Sequence, residues 1–482
     1  MHDMNRKISA GVLWNLVSML LSRGSATIFM LFLARFLAPE SFGLIAMMMI
    51  VLELAHHFVQ SGLGQALIRS KVVSEEDLST IFYANLGLST LTYAGVYWCA
   101  PYLAEFYDQA QLIDMLRIMG LVVFFNAMKV VPLAILSRRM NFRLQMMAET
   151  TSVLISGVVA VIMAWQGAGV WSLVGQSMAM AACSALLLWY VSSWTPRLQF
   201  SLESFRRLFS FGANLLLIGT IRILVENSYV IVIGRFFSAE VTGLYFLARK
   251  VSQMIPQQLS GAVQKATFPA MATLQDDNVQ LRCKYRQIIQ LMMFMMAPIM
   301  ALLAALAEPL FAVLLGDKWS GAVVYMQLLC IVATLYPLHA MNINVLNVKG
   351  RSDLVLKIGL LKNACSIFLL FVTLPYGVFW IVIGQVANSV LSLIPNTYFT
   401  VRLIDYGIKQ QVLDIAKPVV AAAVAGGATF CLINFIQWSD IFLLVAGGAL
   451  GVAVFLVASH ILGVEALKML LTKRRSLYTN FN

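Results

Sequence analysis

The sequence predicts an all-α polytopic membrane protein of about 14 transmembrane helices, with two six-helix lobes in a parallel pseudo-repeat and a C-terminal helix pair. Three observations support this fold class: an extreme apolar composition, apolar runs that recur along the whole chain, and an internal repeat. Of the 482 residues, 60% are hydrophobic and 12% are charged, against about 45–50% and about 25% in soluble domains. One globular core cannot absorb that apolar fraction, so an ordinary soluble protein is excluded.

The apolar runs are long enough to cross a hydrocarbon core, which needs about 20 residues per helix. The predicted spans are 8–34, 41–64, 79–104, 112–136, 148–165, 170–191, 210–233, 240–264, 287–306, 321–342, 354–374, 376–400, 416–436 and 441–463. They predict an N-lobe at 1–200, a C-lobe at 201–405, and a terminal pair with a basic tail at 406–482. An even number of spans places both termini on one side of the membrane.

The loop charges orient the chain in the membrane. Lysine and arginine number 34 against 22 aspartates and glutamates, a net charge of +12. Only Arg35, Arg235 and Lys318 fall in predicted loops on the side opposite the termini. Because cytoplasmic loops are enriched in basic residues, both termini are expected in the cytoplasm.

An internal repeat links the two predicted lobes. Residues 35–44 read RFLAPESFGL and residues 235–244 read RFFSAEVTGL, so Arg, Phe, Glu, Gly and Leu coincide. An even number of predicted spans separates the copies, so the repeats run parallel, as in many transporters that bind substrate between two lobes.

Several cations lie inside predicted spans, where a charge at the bilayer centre costs about 2.5–3.5 kcal/mol without a partner or water. Lys362 is one of them. Glu53 is expected to pair with Arg23 and Glu226 with Lys250, because each pair lies at one depth in its hairpin. The interior stays net cationic and should favour an anion. The predicted substrate-binding residues of this cationic cavity are Arg249, Lys250, Arg222, Arg23 and Lys129.

Polar residues follow one face of two corresponding helices. Glu53, His57 and Gln60 share a helical face, and Gln253 and Gln257 occupy the equivalent helix of the second lobe. With Glu226, these residues are predicted to line a wet cavity. Hydrogen bonding between helices is the alternative role. For His56 and His57, proton binding and structural hydrogen bonding both remain open.

The sequence carries no sign of catalytic or metal chemistry. The six cysteines are scattered without a CxxC pair, which indicates neither a metal site nor a disulfide framework. No phosphate-binding GK[ST] loop occurs, so ATP is not expected to drive the protein. No cofactor and no nucleic-acid partner are expected, and coupling to Na⁺ or H⁺ is left open.

Several strings resemble a known family. Residues 11–15 (GVLWN), 33–44 (LARFLAPESFGL) and 62–68 (GLGQALI) resemble the N-terminal signature of bacterial oligosaccharide flippases of the multidrug/oligosaccharidyl-lipid/polysaccharide exporter superfamily. Residues 268–272 (FPAMA) and 316–319 (GDKW) are similar to its colanic-acid-exporter branch. The resemblance covers nearly the whole chain.

This resemblance implies a non-enzymatic flippase of the bacterial inner membrane. It would carry a polyprenyl-pyrophosphate-linked oligosaccharide repeat unit to the outer leaflet by alternating access during surface polysaccharide biosynthesis. Its implied partners are this anionic glycolipid, membrane lipids and the polysaccharide polymerase machinery. The pyrophosphate of the glycolipid would then lie near Arg249, Lys250, Arg222 and Arg23. The alternatives are an ion-coupled multidrug antiporter, disfavoured by the cationic interior, a glycan polymerase or ligase, disfavoured by short outer loops, and an uncoupled scramblase.

Overall fold

The computed structural model is helical, and the residues that it describes contain no strand. It describes residues 24–60, 62–70, 73–436 and 438–469, with side chains left out at 207–215, 217 and 218. The chain forms two compact units, one ending at Gly243 and the other beginning at Leu244. This boundary falls later in the chain than residue 200, and the division at 1–200, 201–405 and 406–482 stays a prediction.

The described residues of the first unit contain ten helices and the start of another. They are α1 (Gly24–Phe36), α2 (Pro39–Gln60), α3 (Leu63–Arg69), α4 (Glu75–Tyr107), α5 (Leu112–Gly120), α6 (Val122–Arg138), α7 (Phe142–Trp165), α8 (Trp171–Ser192), α9 (Leu202–Glu226) and α10 (Ser228–Phe236). Helix α11 (Ala239–Ala272) begins here and continues into the second unit. Helix α8 packs against α6 and α7, and α2 packs against α4, α6 and α9.

Local sequence explains where the long helix α4 begins. Ser74 and Asp77 form a capping box: each side chain accepts a hydrogen bond from the other residue's backbone N–H at 3.1 Å. The helix then packs into an apolar cluster that includes Leu67, Ile81 and Trp194. This cap and cluster fix α4 beside α3 and α6.

The second unit continues α11 and has eight further α-helices whose two ends both lie among the described residues. They are α12 (Asn278–Ala305), α13 (Ala307–Leu314), α14 (Gly321–Val348), α15 (Ser352–Thr373), α16 (Val378–Leu391), α17 (Leu393–Ile404), α18 (Ile408–Phe435) and α19 (Asp440–Ile461). Helix α12 packs against α14 and α18, and α19 packs against α18. The terminal pair α18 and α19 is therefore an integral part of this unit.

A buried amide network joins four helices of the second unit. The Asn342 carbonyl oxygen Oδ1 on α14 accepts hydrogen bonds from Tyr285 on α12 at 2.6 Å and Thr400 on α17 at 3.0 Å. The Asn342 and Gln411 amides donate to each other at 3.1 and 3.2 Å, which adds α18. Because every partner is deeply buried, removing the shared acceptor would leave several donors unsatisfied.

Among the residues that the structure describes, ten helical segments are long and apolar enough to cross a membrane. They are Pro39–Arg69, Leu112–Arg138, Phe142–Trp165, Trp171–Ser192, Asn278–Ala305, Gly321–Val348, Ser352–Tyr376, Val378–Ile404, Ile408–Phe435 and Asp440–Ile461. The chain is thus a multi-pass membrane protein. The predicted spans 79–104, 210–233 and 240–264 correspond to the helices α4, α9 with α10, and α11, which are not among the ten. Predicted span 8–34 lies largely outside the described residues, so a count of 14 stays a prediction.

Both copies of the repeated motif adopt the same local structure. One helix ends at Phe36 and the next begins at Pro39; in the second copy the same ends fall at Phe236 and Ala239. The arginine and phenylalanine of each copy are exposed, and the glycine of each copy is buried. This equivalence supports the internal repeat that the sequence predicts.

Candidate functional site

His57, on the predicted polar face of α2, contacts α9 within the first unit. Its Nε2 lies 3.1 Å from the Leu216 carbonyl oxygen, which can only accept, so the imidazole donates. A Cβ atom added at Gly219 would lie 2.1 Å from the imidazole ring. Only glycine therefore lets α9 approach His57 so closely. The sequence allowed two roles for His57, cavity lining and hydrogen bonding between helices. This contact with α9 is a hydrogen bond between helices.

Glu53, one turn before His57, has an exposed side chain and contacts the junction of α9 and α10. Its Oε2 accepts a hydrogen bond from Asn227 Nδ2 at 3.1 Å. Arg23 lies outside the described residues, so the Arg23–Glu53 ion pair stays a prediction. Gln60 is also exposed, and its Nε2 lies 2.8 Å from Nε2 of His56.

Lys129 on α6 has an acidic neighbour that sequence reasoning missed. Its charge interacts with the Glu149 carboxylate on α7 and with His56 on α2. Glu149 stands at the very start of the predicted span 148–165 and was not counted among the interior acids. Lys129 therefore has a nearby acid that acts on its charge, and substrate contact by Lys129 stays a prediction.

Arg222 and Glu226 lie one turn apart near the end of α9, both with exposed side chains. Positions four apart share one face of a helix. Helix α9 thus presents both charges on the same face.

Arg249 and Lys250 lie in α11, a helix of 34 residues. Lys250 is exposed and Arg249 is half-buried. Tyr245, one turn before Arg249, is fully buried, and its hydroxyl accepts a hydrogen bond from Gln385 Nε2 on α16 at 2.6 Å. The Arg249 charge acts on this phenol. The turn that carries Arg249 is therefore anchored to α16 through two residues that the sequence did not single out.

Gln253 and Gln257 share one face of α11, as predicted from their spacing. Gln257 Nε2 lies 3.4 Å from Gln253 Oε1, and Gln257 is exposed. Pro256 lies between them inside the continuous helix. Because proline has no N–H, the Ser252 carbonyl one turn earlier lacks its helical donor. This part of α11 thus combines amide side chains with a carbonyl that lacks its helical N–H donor, while its role in lining a cavity stays a prediction.

Metal binding has no support in the described part of the chain, where no group of three His, Cys, Asp or Glu side chains is placed to hold an ion. The six cysteines are free thiols.

Comparison with known proteins identifies the family. The family model described as "Polysaccharide biosynthesis protein" matches residues 32–324. The succinoglycan biosynthesis transport protein ExoT of Rhizobium meliloti (strain 1021) is 28% identical over 317 residues, which are 66% of this chain and 64% of ExoT. The chain thus spans slightly less than two thirds of that relative. The lipopolysaccharide biosynthesis protein WzxC of Escherichia coli (strain K12) is 25% identical over 395 residues, 80% of this chain and 77% of WzxC.

A solved structure shows the same fold. The structure titled "Lipid II flippase MurJ, inward closed conformation" matches with a TM-score of 0.73 at 12% identity, covering 93% of this chain and 98% of MurJ. At that identity the match establishes the polytopic helical fold alone. The family model, by contrast, spans more than half of the chain and confirms the resemblance found in the sequence: the protein belongs to the polysaccharide biosynthesis protein family.

Proposed function

We propose that the protein is a flippase that moves polyprenyl-pyrophosphate-linked oligosaccharide repeat units from the cytoplasmic to the outer leaflet by alternating access. Family membership, a relative named as a transport protein and a fold shared with a lipid flippase support this proposal. The observation that carries the substrate class is α11, a membrane-length helix with adjacent Arg249 and Lys250. Because cations are costly inside a bilayer, a membrane-length helix that carries two of them fits an anionic cargo.

The chemistry of a diphosphate matches this charge. Arginine binds phosphate oxygens through two parallel N–H groups, and lysine adds a compact positive charge. We assign the diphosphate to Arg249, Lys250, Arg222, Arg23 and Lys129. The sugars would then lie along the amides and carboxylates of Glu53, His57, Gln60, Gln253, Gln257 and Glu226, while the polyprenyl tail stays in lipid.

The topology we propose has fourteen spans in a bacterial inner membrane, with both termini in the cytoplasm. The ten apolar segments account for ten of these spans. Helices α4, α9 with α10, and α11 account for three more, and the predicted span 8–34 is the fourteenth. The greater polarity of α4 and α11 fits helices that border an aqueous path. Released cargo would pass to the polysaccharide polymerase machinery.

Surface polysaccharide is the readout that tests this function in cells. In a strain lacking the gene, expression of the native chain should restore the polysaccharide, whereas the Arg249→Ala/Lys250→Ala double variant should not. Lys265→Ala is the matched control, because Lys265 is an exposed cation of the same helix. Wild-type polysaccharide from the double variant at equal membrane abundance would overturn the assignment of the diphosphate to this pair.

A further inference from the structure

A polar cluster in the second unit lies apart from the predicted cavity residues. His339 on α14, Lys362 on α15, Ser389 on α16 and Asn396 on α17 all belong to segments long and apolar enough to cross a membrane. Polar and ionisable groups are rare and costly at such positions, so their presence indicates function by default. The proposed cargo binding does not use any of these four side chains.

The hydrogen bonds of His339 in this structure fit a neutral imidazole. Asn396 Nδ2 donates to His339 Nδ1 at 2.8 Å, so Nδ1 carries no proton. Nε2 is then the protonated nitrogen and donates to Ser389 Oγ at 3.2 Å. His339 is a neutral imidazole with both ring nitrogens engaged.

Both partners of His339 can also accept hydrogen bonds from the charged imidazolium. A hydroxyl accepts from Nε2–H in either state, and an amide turned by half a rotation presents its oxygen to a protonated Nδ1. Asn396 Oδ1 is fully buried and has no hydrogen-bond partner in the described part of the chain. A buried acceptor without a donor is unfavourable, so this oxygen is available to a proton on Nδ1. His57, by contrast, faces a backbone carbonyl, which cannot change its role.

Lys362 sets the charge balance of the cluster. Its charge acts on His339, and the neighbours on α16 and α17, Ser389 and Asn396, are uncharged. Helix α11 meets α14 one residue after His339 through Gln264, which donates to the Ala340 carbonyl and is also uncharged. Burial is the larger obstacle to a positive charge on His339, and the ammonium group of Lys362 adds to it. An anion close to Lys362 would reduce this second contribution.

We infer that His339 and Asn396 form a proton-binding site whose occupancy is controlled by the charge at Lys362. Its use in transport rests on the proposed function: an anionic diphosphate that approaches Lys362 would favour loading of one proton onto His339 Nδ1. The proton would stay on His339 during the cargo step and would dissociate when the anion leaves.

A titration of the full chain in lipid bilayers tests the site without any cargo. The protein is labelled with ¹⁵N-histidine, and His339→Gln identifies the His339 signal among the five histidines. We expect a reversible change from the neutral Nε2–H form to the doubly protonated form on acidification. Lys362→Met should raise the proton affinity about tenfold or more, because one nearby positive charge is removed, whereas Lys362→Arg should leave it unchanged. His460→Gln, which removes an exposed histidine of α19, is the control.

Two results would overturn the site. One is a His339 signal that stays neutral at every pH at which the chain remains folded. The other is the same titration in Lys362→Met as in the native chain.

Coupling between proton binding and flipping is tested separately in proteoliposomes. Flipping of a diphosphate-linked oligosaccharide is measured with and without a pH gradient across the membrane. We expect the gradient to accelerate flipping by the native chain and to have no effect on His339→Gln. Equal acceleration of both would overturn the coupling role. A native chain that does not flip at all would instead contradict the proposed function, and the titration would still decide the proton site.

Discussion

Gly43 and Gly243, equivalent residues of the repeated motif, lie against each other in the first unit. A Cβ atom at Gly43 would lie 1.7 Å from the Ala239 carbonyl oxygen, and one at Gly243 would lie 1.9 Å from the Pro39 carbonyl oxygen. The contact is reciprocal, because Pro39 and Ala239 are themselves equivalent positions. Both copies of the motif thus have glycine at a point where no side chain fits.

Replacing either glycine should therefore destabilise the protein. Gly43→Ala or Gly243→Ala forces two helix backbones apart, and overpacking of this kind costs about 1–3 kcal/mol. Thermal unfolding in detergent measures the loss. Gly95→Ala in α4 is the matched control, since no atom lies within 4 Å of its added Cβ. Equal melting temperatures for Gly43→Ala and the control would contradict the close contact.

Asn342, at the centre of the amide network, should contribute more to stability than Asn347, an exposed asparagine of the same helix. Asn342→Leu removes the acceptor shared by Tyr285, Thr400 and Gln411, and each buried donor left unsatisfied costs about 1–3 kcal/mol. Asn347 is exposed on the same helix, so Asn347→Leu should leave the unfolding transition almost unchanged. Similar losses in both variants would show that the network does not stabilise the unit.

The charges of Lys129 and Glu149 should be coupled in stability. Glu149→Gln removes the negative charge that acts on Lys129 and should lower the melting temperature, because a nearby opposite charge favours the charged lysine. Adding Lys129→Met to Glu149→Gln should recover most of the loss. Glu105→Gln, at an exposed site of α4, is the control. Strictly additive losses in the double variant would argue against the coupling.

The N-cap of α12 should make stability depend on pH in the acidic range. The Gln280 backbone N–H donates to the Asp277 carboxylate at 3.0 Å, and with the Gln280 side chain and the Val279 N–H it holds the pKa of Asp277 below its ordinary value. A lowered folded pKa means that the stabilisation is complete above about pH 3.9 and is lost as the pH falls through the folded value.

The advantage of the native chain over Asp277→Ala in thermal unfolding should accordingly be constant from neutral pH to about pH 4 and shrink below it. Asp277→Asn keeps the cap acceptor without a titrating group, so its advantage over alanine should not change with pH. An advantage of the native chain that grows on acidification would have the wrong sign for this cap.

Periodic and repeated features of this fold could be predicted from the sequence, and single long-range contacts could not. The spacing of Gln253 and Gln257 and the motif at Arg35 and Arg235 are local patterns, and the structure places their residues on shared faces and in equivalent turns. Asn342 and Gln411 pair across helices far apart in the chain, and an isolated amide inside an apolar run leaves no periodic signal.

Glu149 shows a second limit of sequence reasoning. An acid at the edge of an apolar run is not counted as an interior charge, because hydropathy locates the ends of a span only within a few residues. In the structure α7 begins at Phe142, so Glu149 lies two turns inside the helix and acts on Lys129. The charge balance of a membrane interior therefore depends on helix ends that the sequence does not define.

Flipping by purified protein in proteoliposomes is the most direct test of the proposed function. The cargo is a polyprenyl-diphosphate-linked oligosaccharide, and an organic cation serves as the alternative substrate. The account predicts that the native chain and Lys265→Ala flip the glycolipid, and that Arg249→Ala/Lys250→Ala is slower by about tenfold or more, as expected for the loss of charge-assisted hydrogen bonds. Gradient-driven movement of the organic cation without any flipping of the glycolipid would contradict it.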